Sequence, residues 1–120
     1  MRNWNAVRSG LTTNDVAGVT AWGTGSGYDP GGSLYTDFAL EMSASGSAMQ
    51  VGVVANYWND VQSAWVRSVD DKYVFSIPSA TKVWRQIRVP SLGQLTFLEF
   101  TGLTGASTGW VISAYATPVG

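Results

Sequence analysis

The chain has 120 residues, of which 45% are hydrophobic and 12% are charged, and its seven Lys and Arg against eight Asp and Glu give a formal net charge of -1. This balance provides no general attraction for nucleic acid or for anionic lipid, so we expect neither nucleic acid nor a membrane among its partners. Cysteine and histidine are both absent, which excludes disulfides, thiolate zinc sites and the commonest general base and metal ligand.

The length of the chain is sufficient for one domain with a substantial core. Residues 1–10 carry positive charge but lack the apolar stretch of a signal peptide. No later segment reaches the ~18 uncharged apolar residues of a membrane helix. We therefore expect a short, complete product that is made in the cytoplasm and remains soluble.

Residues 1–32 are rich in Gly, Asn, Ser and Thr and predict an irregular N-terminal arm, separate from a domain that occupies residues 33–120. The arm carries three large aromatic residues, Trp4, Trp22 and Tyr28, which are unusual in a linker. Two interpretations stay open. The rings pack onto the core of their own domain, or they anchor the arm on a neighbouring subunit, where aromatic residues are favoured.

Alternating apolar residues predict β-strands from residue 33 onward. In residues 34–44 the even positions are mostly apolar, and in residues 49–57 the odd positions are apolar. Residues 64–69 are predicted to pair with the second of these strands in a hairpin. Residues 73–77 form a further alternating strand. A charged turn at residues 70–72 is predicted between this strand and the strand of residues 64–69.

The next strand contains two arginines whose placement predicts its position in a sheet. Arg85 shares a face with Val83, Ile87 and Val89, so an apolar row contains a charge. An edge strand resolves this conflict, and Pro90, which has no N–H to donate, also indicates an edge or a strand end.

Two more strands complete the domain. Residues 95–100 predict a strand that is buried on both faces, and residues 110–116 predict the last one, before Pro118. Seven to eight or so short antiparallel strands with glycine-rich turns are typical of an all-β fold, so we predict a single β-sandwich or jelly-roll domain with a Gly-rich N-terminal arm.

No catalytic residue, cofactor-binding residue or metal ligand is predicted. Asp37 and Glu41 share a strand face but lie about 13 Å apart along the strand, which is too far for either glycosidase geometry. A solvated strand face is expected there. The glycine-rich run at residues 23–27 is not followed by the Lys and the helix of a phosphate-binding loop. The protein is therefore not expected to be an enzyme.

The six tryptophans leave a different chemistry open. Sugar-binding β-sandwiches stack aromatic rings on pyranose faces, whereas an ordinary small sandwich fills its core with such rings. Exposed rings in a groove would favour sugar binding, and exposed rings confined to the N-terminal segment would favour assembly. The strand residues in question are Trp58, Trp65, Trp84 and Trp110, with Tyr57, Tyr73 and Tyr115.

The two arginines are expected to serve a protein interface. Arg85 and Arg88 follow Trp84 in the sequence, and with it they could stack on bases, but an acidic protein offers little attraction for phosphate. The planar guanidinium suits pairs with carboxylates and carbonyls. We therefore expect Arg85 and Arg88 to contact a neighbouring protein.

The pattern of these strands resembles a family of small β-sandwich virion proteins of tailed bacteriophages, especially the decoration or cement proteins that coat capsids. The resemblance covers about 80 residues and rests on pattern, so no functional residue is carried over from the family. The segments that carry it are 34–42, 51–53, the hairpin Tyr57-Trp58-Asn59-Asp60 with Ala64-Trp65-Val66, 84–89 and 112–116.

The resemblance implies a non-enzymatic structural protein that is made in the host cytoplasm and lies on the capsid surface of the virion. It also implies a homo-oligomer whose partner is the major capsid protein or another virion protein. The alternative from another functional class is a carbohydrate-binding β-sandwich, in a receptor-binding or tail-associated module that uses exposed Trp and Tyr.

Overall fold

The computed structural model describes residues 4–11, 19–21, 27–44, 48–92, 94–101 and 110–120. Eight strands form two antiparallel sheets of four strands each. The first sheet consists of β1 (Asn5–Leu11), β3 (Tyr35–Ala44), β6 (Thr81–Pro90) and β8 (Trp110–Val119). The second consists of β2 (Val19–Ala21), β4 (Met49–Asn59), β5 (Ala64–Ile77) and β7 (Thr96–Thr101). None of the described residues forms a helix. Accordingly, the described chain has no helix with the length and hydrophobicity that crossing a membrane requires.

Neighbouring strands follow the order β1-β8-β3-β6 in the first sheet and β2-β7-β4-β5 in the second. Successive strands therefore alternate between the sheets, except for the β4–β5 hairpin within the second sheet. This connectivity is that of an eight-stranded jelly roll. The prediction of an all-β sandwich or jelly roll is confirmed.

The segments that follow β2, β4 and β6 meet at one end of the sandwich. Tyr28 forms a β-bridge to Thr96, and the Tyr57 hydroxyl donates to the Pro90 carbonyl at 3.0 Å. The backbone N–H of Trp58 donates to the Leu95 carbonyl, also at 3.0 Å. We call this part of the molecule the loop end, and it comprises residues 27–34, 60–63, 91–92 and 94–95.

The hydrophobic core lies between the sheets. The alternation that predicted strands in residues 34–44 and 49–57 is confirmed, except that Leu34 precedes β3 and is exposed. Burial of one such aliphatic or aromatic side chain contributes ~1.5–3 kcal/mol, so the alternation itself fixes which face of each strand turns inward. The largest fully buried side chains are Phe38, Leu40, Met42, Val51, Val53, Ile77, Val89, Leu98, Phe100 and Ile112.

Strand β7 is buried on both faces, as predicted. Leu98 and Phe100 face the core, and Phe97 on the opposite face is only 4% exposed. The strand lies between β2 and β4, so neighbours protect its backbone on both sides.

The edge strands carry most of the positive charge. β6 is an edge of the first sheet and β5 is an edge of the second, which confirms the edge position predicted for Arg85 and Pro90. Charge on an exposed edge opposes pairing with another chain. Five of the seven Lys and Arg residues lie on these two strands: Arg67, Lys72, Lys82, Arg85 and Arg88.

Two boundary predictions were wrong. Residues 70–72 do not form a turn, because β5 continues from Ala64 to Ile77. Val54 pairs with Lys72 but Asn56 pairs with Arg67, so β5 contains three more residues than β4 between these pairs, and this bulge disrupts the alternation.

The last strand also extends beyond its predicted end. β8 continues through Pro118 to Val119. Pro118 pairs with Thr36 of β3, whereas the pairing of β8 with β1 reaches only Ala116. Among the described residues, Pro118 thus has a partner strand on one side only, a position at which a proline is tolerated.

The first 32 residues contribute two strands. Irregular structure was therefore the wrong prediction for β1, which pairs with β8, and for β2, which pairs with β7. Residues 12–18 and 22–26 lie outside the described residues. The division into an arm (1–32) and a sandwich (33–120) stays a prediction, and so does a role of the arm in assembly.

Candidate functional site

Three aromatic residues meet on the outer face of the first sheet. Trp84 on β6 and Tyr115 on β8 flank β3 and stack across it, with ring centroids 5.9 Å apart and an angle of 27° between the rings. Trp4 contacts Trp84 edge to face, at 6.3 Å and 83°. Beneath them Ala39, the cross-strand partner of Tyr115, is fully buried. Its small side chain leaves room for the rings, and we call this cluster of Trp4, Trp84 and Tyr115 the ring face.

Polar side chains surround the ring face. Glu41 is the cross-strand partner of Trp84 and pairs with Lys82 at 3.5 Å, with the two side chains 38% and 66% exposed. Gln86 follows Trp84 on the same side of β6 and is exposed, and Ser113 lies opposite Glu41 on β8. The rings are thus bordered by a carboxylate, an ammonium, an amide and a hydroxyl.

Asp37 and Arg88 form an ion pair on the same outer face, closer to the loop end. Arg88 Nε donates to Asp37 Oδ1 at 2.7 Å and Arg88 Nη2 donates to Asp37 Oδ2 at 3.0 Å. The guanidinium also lies 5.7 Å from the ring centroid of Tyr35. Asp37 is only 4% exposed, so the solvated face predicted for this residue was wrong, whereas Glu41 is partly solvated.

This ion pair changes the interpretation of Arg88. Arg88 was expected to contact a neighbouring protein, whereas the carboxylate that it contacts in the structure, Asp37, belongs to its own chain. The hydrogen bond and the charge of Asp37 raise the pKa of the Arg88 guanidinium, so the contribution of this cation to stability is complete at neutral pH and is lost only at extreme alkaline pH.

Arg85 has a different environment from Arg88. It lies on the inward row of β6, yet it is exposed because β6 is an edge strand. Its Nη1 donates to the backbone carbonyl of Trp84 at 3.2 Å. Contact with a neighbouring protein stays a prediction for Arg85.

The outer face of the second sheet has a similar composition but is more covered. Trp58 and Trp65 lie 5.3 Å apart, and Trp65 contacts Phe97 at 4.7 Å, both edge to face. Gly27 lies against Trp65 so closely that a Cβ atom at residue 27 would be 2.8 Å from the indole ring. The backbone at residue 27 therefore covers part of this face.

An ion pair also lies on that face of the second sheet. Arg67 Nε is 3.0 Å from Glu99 Oε1, and the Glu99 side chain is 12% exposed. Asn56 Nδ2 donates to the same carboxylate oxygen at 3.2 Å. The Glu99 carboxylate, which is the less exposed member of this pair, thus accepts from both Arg67 and Asn56.

A cleft of about 610 Å³ opens at the loop end, within the size range of ligand pockets. Its aliphatic side chains are unusually exposed, at 95% for Val61, 63% for Leu92 and 46% for Val66. The lining residues are Tyr57, Trp58, Asn59, Asp60, Val61, Val66, Arg67, Ser68, Leu92 and Gln94.

The backbone at the rim of this cleft is strained. Leu92 has a φ of 54°, in the left-handed region that glycine and asparagine adopt most readily. Hydrogen bonds hold the turn on both sides, from the N–H of Ser91 to the Leu34 carbonyl at 3.0 Å and from the N–H of Gln94 to the Ser91 carbonyl at 3.1 Å. The turn thus presents a leucine side chain to solvent.

The predicted interface residues occupy separate places. Trp4 belongs to the ring face, and Tyr28 is half-buried against the core, with its ring 6.4 Å from that of Phe38. Tyr28 therefore packs onto its own domain, the first of the two interpretations. Trp22 lies outside the described residues. Arg85 and Arg88 lie on opposite faces of β6, so the structure does not join the four described residues into one site.

Sequence reasoning missed the cleft and the pairing of Trp84 with Tyr115. The segment Ser91-Leu92-Gly93 was recognised as a turn. The positive φ at Leu92 was not predicted, because a leucine rarely adopts the left-handed conformation. The ring pair depends on the register of β6 and β8 against β3, which a single sequence does not display.

Within the described ranges, no group of three or more Asp and Glu residues is arranged to hold a metal ion. The described carboxylates are instead distributed over strands and turns. Comparison with known proteins adds no assignment to this geometry: no family model, no curated protein and no solved structure matches the chain.

Proposed function

We propose that this protein is a non-enzymatic virion protein that decorates a capsid, and that its loop end docks on the protein partner. The observation that carries this proposal is Leu92. Its side chain is 63% exposed at the rim of the cleft, and its backbone is held in a left-handed conformation.

Leu92 is doubly unfavourable for an isolated protein. The left-handed conformation costs about 1–2 kcal/mol for a residue with a Cβ atom, and the exposed leucine contributes little burial. Glycine or asparagine at this position would lower the cost of the left-handed backbone and would remove the exposed apolar side chain. A docking surface explains the leucine, because binding a partner would bury it together with Val61 and Val66, across the cleft.

The fold and the resemblance supply the rest of the proposal. Jelly rolls are found in viral capsid and lectin domains, although a fold alone does not determine a function. The resemblance to capsid decoration proteins supplies the partner, the major capsid protein or another virion protein, and the place of action, the capsid surface. A homo-oligomer belongs to the same proposal.

The experiment measures binding of Leu92 variants to empty shells assembled from the major capsid protein that the same genome encodes. Truncation of a central apolar anchor costs about 2 kcal/mol or more, so Leu92→Gly and Leu92→Ala should weaken shell binding at least about 30-fold. Only Leu92→Gly also relieves the backbone strain. The free energy of unfolding of that variant should therefore be unchanged or higher.

Val74→Ala is the matched control, because Val74 is 61% exposed but lies on β5 away from the cleft. It should bind shells like the unmodified protein. If Leu92→Gly binds shells with full affinity, the loop end is not the docking surface. If it instead unfolds the isolated protein, Leu92 has a structural role and the proposal loses its main support.

A further inference from the structure

The ring face has the chemistry of a small-ligand site. The proposed docking of the protein through its loop end does not involve this face. Of the five tryptophans in the described residues, Trp84 is the most exposed, at 44%. Its near-parallel stack with Tyr115 and its edge contact with Trp4 fix the orientation of the indole. A rigid aromatic surface loses little conformational freedom when a ligand binds it.

We propose that the ring face binds a neutral saccharide. A pyranose has an apolar C–H face, which packs on an aromatic ring, and a rim of hydroxyls, which require donors and acceptors. The exposed part of Trp84, which Tyr115 supports from one side, provides the aromatic surface. Glu41, Lys82 and Gln86 at its border provide the polar groups that fix orientation in such sites.

The charges around the ring face favour a neutral ligand. Glu41 pairs with Lys82 at 3.5 Å, and Asp37 pairs with Arg88 at 2.7 Å, so the two carboxylates are balanced by two cations. A phosphate or a nucleic acid would need uncompensated positive charge. Hydroxyl groups can accept from the Lys82 ammonium and donate to the Glu41 carboxylate without separating the pair.

The ring face is remote from the proposed docking surface. Trp84 precedes Pro90, at the loop end of β6, by six residues, which corresponds to about 20 Å along a strand. The ring face lies on the outer side of the first sheet. A protein docked through the loop end would therefore leave the ring face accessible, and the saccharide proposal does not rest on the docking proposal.

The test is an NMR titration of the ¹⁵N-labelled full chain with three neutral probes: cellotriose, maltotriose and chitotriose. At least one trisaccharide should bind saturably and shift the indole N–H signal of Trp84. Removal of a stacking ring weakens binding to bases by about tenfold or more, and Trp84→Ala should weaken trisaccharide binding similarly. Trp84→Phe retains a ring and should lose less than Trp84→Ala.

Trp58→Ala is the matched control, because Trp58 belongs to the aromatic cluster on the other outer face. It should leave trisaccharide affinity unchanged. Gln86→Ala keeps all three rings and should weaken binding by losing one hydrogen bond, which tests the site even if Trp84→Ala does not fold.

Three results would overturn the proposal. These are no binding of any probe up to about 10 mM, binding that persists in folded Trp84→Ala, and signal changes confined to the loop end. Loss of shell binding in Trp84→Ala, without trisaccharide binding by the parent, would instead assign the ring face to a protein partner. Leu92→Gly distinguishes the two proposals, because it should retain trisaccharide binding whatever its effect on shells.

Discussion

The outer faces of the two sheets contain the same kinds of side chains but differ in what covers them. Each face combines an aromatic cluster with an arginine–carboxylate pair. On the second sheet, Trp65 packs over Phe97, and the backbone at Gly27 lies against Trp65. On the first sheet, Trp84 remains 44% exposed. The same kinds of side chains thus pack against their own chain on one face and remain accessible on the other.

This difference separates stability from binding. A ring that its own chain covers contributes the whole free energy of its burial to folding. A ring that is partly exposed can bury its remaining apolar surface only when a ligand binds. Substitutions of the aromatic rings on the second sheet should therefore change stability most. Substitutions of the rings on the first should change binding, with a smaller effect on stability.

The largest effect is expected for the covered aromatic ring. Phe97 is 4% exposed, and replacement of a buried Phe by Ala costs about 3–5 kcal/mol. Phe97→Ala should lower the free energy of unfolding in urea by that amount. Trp84→Ala should lower it by much less, because almost half of Trp84 is already in solvent. Equal losses for the two variants would show that the ring face is as much a part of the folded core as Phe97.

The next effect concerns the two ion pairs. Asp37 accepts two hydrogen bonds from Arg88 and is 4% exposed, and a hydrogen bond to a charged group is worth about 1.5–3 kcal/mol. Asp37→Asn should therefore destabilise the protein by about 2 kcal/mol. Glu99→Gln should cost less, about 1 kcal/mol, because the amide oxygen still accepts from Asn56. Urea unfolding of both variants gives the comparison, and a larger loss for Glu99→Gln would contradict it.

A smaller effect is expected where the chain covers the second sheet. A Cβ atom at residue 27 would lie 2.8 Å from the Trp65 ring and 3.2 Å from the backbone N of Thr96. Gly27→Ala should thus cost about 1–2 kcal/mol through overpacking and should raise the exposure of Trp65, seen as a red shift in fluorescence. Gly32→Ala is the control, because a Cβ atom there contacts nothing within 4 Å. Similar stability of the two variants would mean that the backbone at residue 27 does not constrain Trp65.

Strict alternation made some of these elements predictable from sequence. β3 and β4 follow a period of two, and each pairs with its neighbouring strands without a bulge along most of its length. The strand β7, which is buried on both faces, was recognised by its apolar run. β5 and β1 were not, because their register shifts break the period between Arg67 and Lys72 in β5 and between Ala6 and Arg8 in β1. A bulge depends on the partner strand, and its position is therefore not visible in one segment.

The candidate sites were less predictable because they depend on long-range register. Asp37 and Arg88 are 51 positions apart in sequence, and only the pairing of β3 with β6 makes them partners. The stack of Trp84 on Tyr115 requires two strands to flank β3 in register. Arg85 was predictable in part, because a charge within an apolar row indicates an edge from local pattern alone.

The smallest effect on stability is expected at the edge strand of the first sheet. Arg85 is exposed on β6, so Arg85→Val should change the free energy of unfolding by no more than about 0.5 kcal/mol. The row of Val83, Ile87 and Val89 would then be apolar throughout, and an uncharged apolar edge promotes pairing between chains. Sedimentation velocity should show new, concentration-dependent association for Arg85→Val but not for Arg85→Lys, which keeps the charge. If Arg85→Lys associates as well, the guanidinium makes a specific contact and Arg85 does more than protect an edge with its charge.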